Sequence, residues 1–120
     1  MSPELLEQRK PVWVALSDLY LDVELQESDF AHIAAILRNA GLNWAEAQSI
    51  NVNEVAPVVI HNLFAVAGVW TGFDEEQLYA MILRRRRPPR LLGSRRLWRY
   101  FVERMLADCL PRLRHCLAAG

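Results

Sequence analysis

Apolar side chains recur at Val12, Leu16, Leu19 and Val23, with Trp13 and Tyr20 beside them, and this spacing draws one stripe along a helix. Ser2 as N-cap and Pro3 at the first helical position give that helix a favoured start. Pro11 withholds a backbone N–H and is expected to kink or restart it. A second stripe at Phe30, Ile33, Ala34 and Leu37 follows the i, i+3, i+4, i+7 template. Ser28 as cap and Asn39-Ala40-Gly41 as stop place this helix at 28–39.

Asn43 with Glu46 three residues on fits a capping box and starts a third helix to about residue 55, because Pro57 disfavours helical geometry at Ala56. The valine-rich run that follows suits a strand, but no neighbouring segment could pair with it, and 57–67 reads as a short buried helix. Gly68 and Gly72 bracket Trp70 in a turn. Asp74, with Gln77 reciprocal to it, caps a helix that ends in Arg84 to Arg87, cations at the negative end of its dipole, before Pro88 and Pro89 stop it. The last helix, 94–117, carries Trp98, Phe101, Val102, Met105 and Cys109 on its buried stripe, extended by Leu113 and Cys116, and Pro111 should bend it. Arg99–Glu103 and Arg104–Asp108 stand at i, i+4 spacing along it. The expected fold class is all-α: one compact domain of about five helices, the last kinked at a proline. Its core is expected to hold Trp13, Leu16, Phe30, Ile33, Leu37, Leu63, Trp70, Phe73, Leu78, Trp98, Phe101 and Met105.

A chain of 120 residues makes one domain, and 52% apolar residues place it at the upper edge of the globular range, with apolar surface to spare for a partner. Its most apolar stretch, from Val55 to Trp70, is interrupted by Pro57, His61, Asn62 and Gly68, so no membrane span is expected. MSPELLEQRK lacks the positive-then-apolar order of a secretory signal, and the expected location is the cytoplasm. Cys109 and Cys116, seven residues apart on one helix, are too far apart for a bridge and read as free thiols.

Two stretches, PVWVALSDLYLDVEL at 11–25 and EVAPVVIHNLFAVAGVWTGFDEEQL at 54–78, together with the helix start at Ser28, resemble a family of short bacterial proteins of unknown function. The resemblance covers 11–83 and implies one helical domain. It implies no mechanism. The Arg/Pro-rich connector 84–96 and the helix 94–117 have no counterpart in the family pattern.

Charge is segregated. Residues 1–83 hold three basic and twelve acidic side chains, a net −9, and residues 84–120 hold eleven basic and two acidic, a net +9. Asp18, Asp22 and Glu54 are the candidate carboxylates for acid–base or metal work, since the two aspartates share a helix face. They read more simply as solvated or capping groups. His32, His61 and His115 fall in different segments, and His115, Cys109 and Cys116 lack the spacing and fourth ligand of a zinc site. No nucleophile or phosphate-cradle motif surrounds either cysteine. Asn62, inside an apolar run, reads as a structural amide locking a turn. No metal and no cofactor is expected.

Eight arginines between residues 84 and 99, interleaved with Trp98 and Tyr100, could track phosphates, and Arg84, Arg85, Arg86, Arg87, Arg90, Arg95 and Arg96 are the candidate nucleic-acid contacts. Zero net charge, an acidic remainder and the absence of a helix-turn-helix, zinc-finger or RNA-stacking signature oppose that reading. The two charge blocks could also face one another within the fold or across a homodimer. The expected function is a non-catalytic protein-binding module of the immunity or inhibitor type, which neutralises a bacterial toxin or effector by occlusion. Its expected contact residues are Asp18, Asp22, Glu24, Asp74, Glu75 and Glu76.

Overall fold

Ser2 caps the first helix, accepting the Leu5 N–H at 3.2 Å, and α1 then runs Pro3–Ser17. The computed structural model describes residues 2–21, 24–65, 74–84 and 95–119, with 62–65 as backbone alone. Pro11 does not restart α1: it sits exposed within a continuous helix, where solvent can take over the hydrogen bond that its missing N–H forfeits. A 3₁₀ turn, Asp18–Tyr20, ends the helix, and α2 follows at Glu27–Asn39.

The cap of α2 is Gln26 rather than Ser28. The Asp29 carboxylate accepts the Gln26 N–H at 2.7 Å, which draws the helix start two residues upstream and leaves Ser28 inside the first turn. At its other end Gly41 takes φ +75°. The Gly41 N–H reaches the Arg38 carbonyl at 2.9 Å and the Leu42 N–H that of Leu37 at 3.1 Å, which is the Schellman arrangement.

The expected break before Pro57 does not occur. Asn43 and Glu46 close their capping box at 2.8 and 3.0 Å, and α3 (Trp44–Ile50) passes through a π-helical turn (Asn51–Val55) straight into α4 (Ala56–Ala65). In α register the Pro57 ring would press on the Asn53 carbonyl, and widening the helix by one residue relieves that clash. The wide turn has a cost. Ala56 donates its N–H to Asn51, so the Val52 carbonyl loses its i+4 donor, and its i+5 neighbour is Pro57, which has no N–H. Trp98 fills the gap, its Nε1 donating to the Val52 carbonyl at 2.8 Å in the buried core.

Asp74 immediately precedes α5 (Glu75–Arg84), and its backbone carbonyl accepts the Leu78 N–H at 3.0 Å. The last helix of the sequence reading is two: α6 (Arg95–Met105) and α7 (Cys109–Ala119), separated by a turn at 106–108. Pro111 is the cause, acting four residues upstream, because its ring excludes the Ala107 carbonyl from a helical position. The proline then occupies the first turn of α7, where no N–H is needed. Helix α6 ends before Asp108, and of the two expected pairs only Arg99–Glu103 forms, at 2.9 Å.

Seven α segments, two of them fused through the π turn, and no strand among the described residues make the chain all-α. The Cα radius of gyration is 13.6 Å, which is the size of one compact domain of this length. Trp13, Leu16, Phe30, Ile33, Leu37, Leu78 and Trp98 are buried as expected. Phe101 is half-buried and Met105 exposed, because the inward row on α6 is Trp98 and Val102, continued by Leu106 in the turn that follows. Trp70 and Phe73, and the side chain of Leu63, lie outside the described residues, as do Gly68, Gly72, Val23 and the Asn62 amide. No helix among the described residues is long and apolar enough to cross a membrane.

Candidate functional site

Of the three candidate carboxylates, Glu54 is committed to the fold. Arg9 and Trp13 lie one helical turn apart on α1, and both reach the π turn: Arg9 Nη1 donates to Glu54 Oε2 at 2.7 Å and Oε1 at 2.9 Å, and Trp13 Nε1 donates to Oε1 at 2.9 Å. Tyr20 donates its hydroxyl to Asn51 Oδ1 at 2.8 Å one turn away. The π turn is therefore gripped by α1, the 3₁₀ turn and α6, and the Glu54 carboxylate is held by two side chains of α1.

Asp18 lies in different company. It is half-buried at the C-terminal end of α1, where the helix dipole is unfavourable to an anion. Burial raises its carboxyl above the ordinary value of 3.8; His32 opposes the rise, while Asp29 and Glu75 add to it. Three acids and one imidazole, drawn from the 3₁₀ turn, α2 and α5, thus share one field. Glu75, Glu76 and Glu7 likewise raise the Tyr79 hydroxyl, after burial. That ring stands 6.2 Å from Trp13, with Lys10 Nζ 5.2 Å from its centroid. Asp74, Glu75 and Glu76 are exposed.

The fold therefore joins Asp18 to the start of α5 as one electronegative face and adds Asp29 and Glu7, which the sequence reading did not single out, and His32, which it weighed only as a lone imidazole. Asp29 was visible only as a first-turn acid, and nothing in the sequence places α5 beside it. Glu24 stands apart, its charge acting on Arg112 of α7, and Asp22 lies outside the described residues.

Since the folded state holds the Asp18 proton more tightly than the unfolded chain, the group favours folding fully below about pH 3.8, and that contribution is lost as pH rises through the raised value. At neutral pH the ionised carboxylate opposes the fold. Asp18→Asn should accordingly raise the melting temperature at pH 7, with the gain shrinking towards pH 3; an unchanged or lower melting temperature at pH 7 would contradict it.

On the basic half, Arg84, Arg95 and Arg96 are exposed, and Arg85, Arg86, Arg87 and Arg90 lie outside the described residues. The charge blocks meet at one seam among the described residues: α7 packs on α2, where Arg112 Nη2 contacts Glu27 at 2.7 Å and its guanidinium lies 4.5 Å from the Phe30 ring. None of Asp18, Asp74, Glu75 or Glu76 has a cation at ion-pairing distance among those residues. Cys109 and Cys116 are unbridged, and burial, with Asp108 adding and Arg112 opposing, pushes the Cys109 thiol up, away from thiolate chemistry. No three His, Cys, Asp or Glu side chains among the described residues stand close enough to share a metal ion.

The model of a family described as a domain of unknown function (DUF7079) matches residues 7–116, which takes in the basic segment as well as the stretches at 11–83. No curated protein and no solved structure matches the chain.

Proposed function

The chain belongs to the DUF7079 family, a domain of unknown function, and we propose that it is a non-catalytic binding protein of the immunity or inhibitor type, which neutralises a bacterial toxin or effector by covering its working surface. The observation that carries this reading is Asp18. A half-buried carboxylate at the wrong end of a helix, near two like charges that one imidazole only partly offsets and with no ion-pair partner among the described residues, works against the stability of the fold. Groups held at such a cost are drawn from functional surfaces, where a partner supplies the missing counter-charge. Here the same face carries Asp74, Glu75 and Glu76, exposed and unneutralised within the described residues, and a basic partner groove is its complement.

The test begins with co-purification from the native host and identification of the partner by mass spectrometry. Surface plasmon resonance then compares variants. Asp18→Asn with Glu75→Gln and Glu76→Gln should slow association roughly tenfold at low ionic strength and flatten its salt dependence, because charges at a rim act chiefly on the on-rate. Arg95→Glu with Arg96→Glu should leave association nearly unchanged.

A second reading has its own observation. The outward face of α6 presents Arg95, Arg96 and Arg99 around Tyr100, which is 65% exposed, and this is the pairing of cations with an open ring that a nucleic-acid strand would use. Binding there would be weak, non-specific and steeply salt-dependent. If the arginine reversals alone abolish binding, this reading replaces the first.

A further inference from the structure

Outside the acidic face, α3, α6 and α7 enclose a groove of about 460 Å³, within the size range of small-molecule sites. Trp44, Leu110, Pro111 and Ala118 give it an apolar lining, and Gln48, Arg99, Glu103, Arg114 and His115 supply its polar groups. Gln48 is 4% exposed, so its amide should be hydrogen-bonded. Only half of it is. Tyr20 donates to Asn51 Oδ1, which turns Asn51 Nδ2 towards Gln48, and Gln48 Oε1 accepts from it at 3.4 Å. The network runs one way, and the Gln48 NH₂ is left at its end with no acceptor among the described residues. Nearby, Glu103 neutralises Arg99 at 2.9 Å, whereas Arg114 has no carboxylate at ion-pairing distance among those residues.

We propose that this groove binds a small organic monocarboxylate with a flat apolar body, its carboxylate taken by the Gln48 NH₂ and the Arg114 guanidinium and its body laid on Trp44 and Pro111. The charge count selects the ligand class. One open guanidinium beside an already neutral Arg99–Glu103 pair matches a single negative charge, and among the described lining residues a phosphate dianion would meet the Glu103 carboxylate with only the His115 imidazole beside Arg114 to balance it. The bound carboxylate would also satisfy a buried amide that is short of an acceptor among the described residues.

Titration of the full chain with 3-phenylpropionate, followed by proton–nitrogen correlation spectroscopy, is the test. Saturable shifts are expected at the Trp44 indole N–H and the Gln48 side-chain amide. The neutral amide of the same acid should bind at least about tenfold more weakly, as should phenyl phosphate, and Arg114→Gln, an exposed substitution that leaves the fold intact, should weaken the acid by about tenfold. Gln48→Met should weaken it further, with the wild-type spectrum elsewhere as the check on folding. The proposal fails if the acid produces no saturable shifts, if the amide or the phosphate binds as well as the acid, if Arg114→Gln has no effect, or if the shifts map to another face.

Discussion

Trp98→Ala should lower the free energy of unfolding by about 3–5 kcal/mol, the ordinary cost of emptying a buried aromatic site. Trp98 is 2% exposed and its ring stacks on Phe101 at 5.9 Å, so alanine removes packing on both sides. Trp98→Phe separates the parts of this loss. Phenylalanine keeps most of the apolar contact but cannot donate to Val52, whose carbonyl has no helical donor at i+4 or i+5. That variant should cost about 1–3 kcal/mol from the unsatisfied carbonyl alone. Pro57→Ala supplies an N–H five residues after Val52, so in that background the Phe substitution should cost measurably less, a coupling that a double-mutant cycle reads directly. Urea unfolding with an unchanged m-value is the measurement. Equal stability of wild type and Trp98→Phe would show that the indole N–H contributes nothing and that the π turn satisfies itself.

The Trp98 case also shows how far the sequence reached. The stripes at Val12 to Tyr20 and Phe30 to Leu37 foretold which faces are buried, because helical periodicity is a local property and the core confirms it residue by residue. Proline consequences were legible only in part. Pro111 acts at Ala107, its i−4 neighbour, as its missing N–H implies, but it breaks the last helix where a bend was expected. Pro57 widens a helix that it was expected to end, because burial of Val52 and Val55 within the turn rewards continuation over local preference. The candidate surfaces depended on docking between helices. Periodicity on α1 and on α5 does not bring Asp18 and Glu75 into one field, and the Gln48 amide becomes an open donor only because Tyr20, twenty-eight residues earlier, fixes the direction of the Asn51 side chain.

Glu54 was read as a solvated or capping carboxylate, and its replacement should instead be the most damaging single change on the polar surface. Glu54→Ala removes the acceptor of Trp13 Nε1, a donor on a residue that is 0% exposed, and leaves the Arg9 guanidinium without its counter-charge. The first loss costs about 1–3 kcal/mol, since a buried donor then has no partner. The second is smaller. The Arg9 and Glu54 side chains remain 22% and 28% exposed, so water screens the pair and Arg9 can swing out to solvent, which limits its share to about 1 kcal/mol. A total of about 2–4 kcal/mol follows for alanine. Glu54→Gln keeps a carbonyl oxygen for the indole and gives up only the charge, so it should lose about 1 kcal/mol or less. Urea denaturation at low salt and in 1 M sodium chloride separates the two contributions, because added salt weakens the Arg9 pair and leaves the neutral indole bond almost untouched. The wild-type-to-Gln difference should therefore shrink in salt while the Gln-to-Ala difference persists. If Glu54→Gln proves as damaging as Glu54→Ala at both salt concentrations, the charge on Glu54 and not the Trp13 hydrogen bond ties α1 to the π turn.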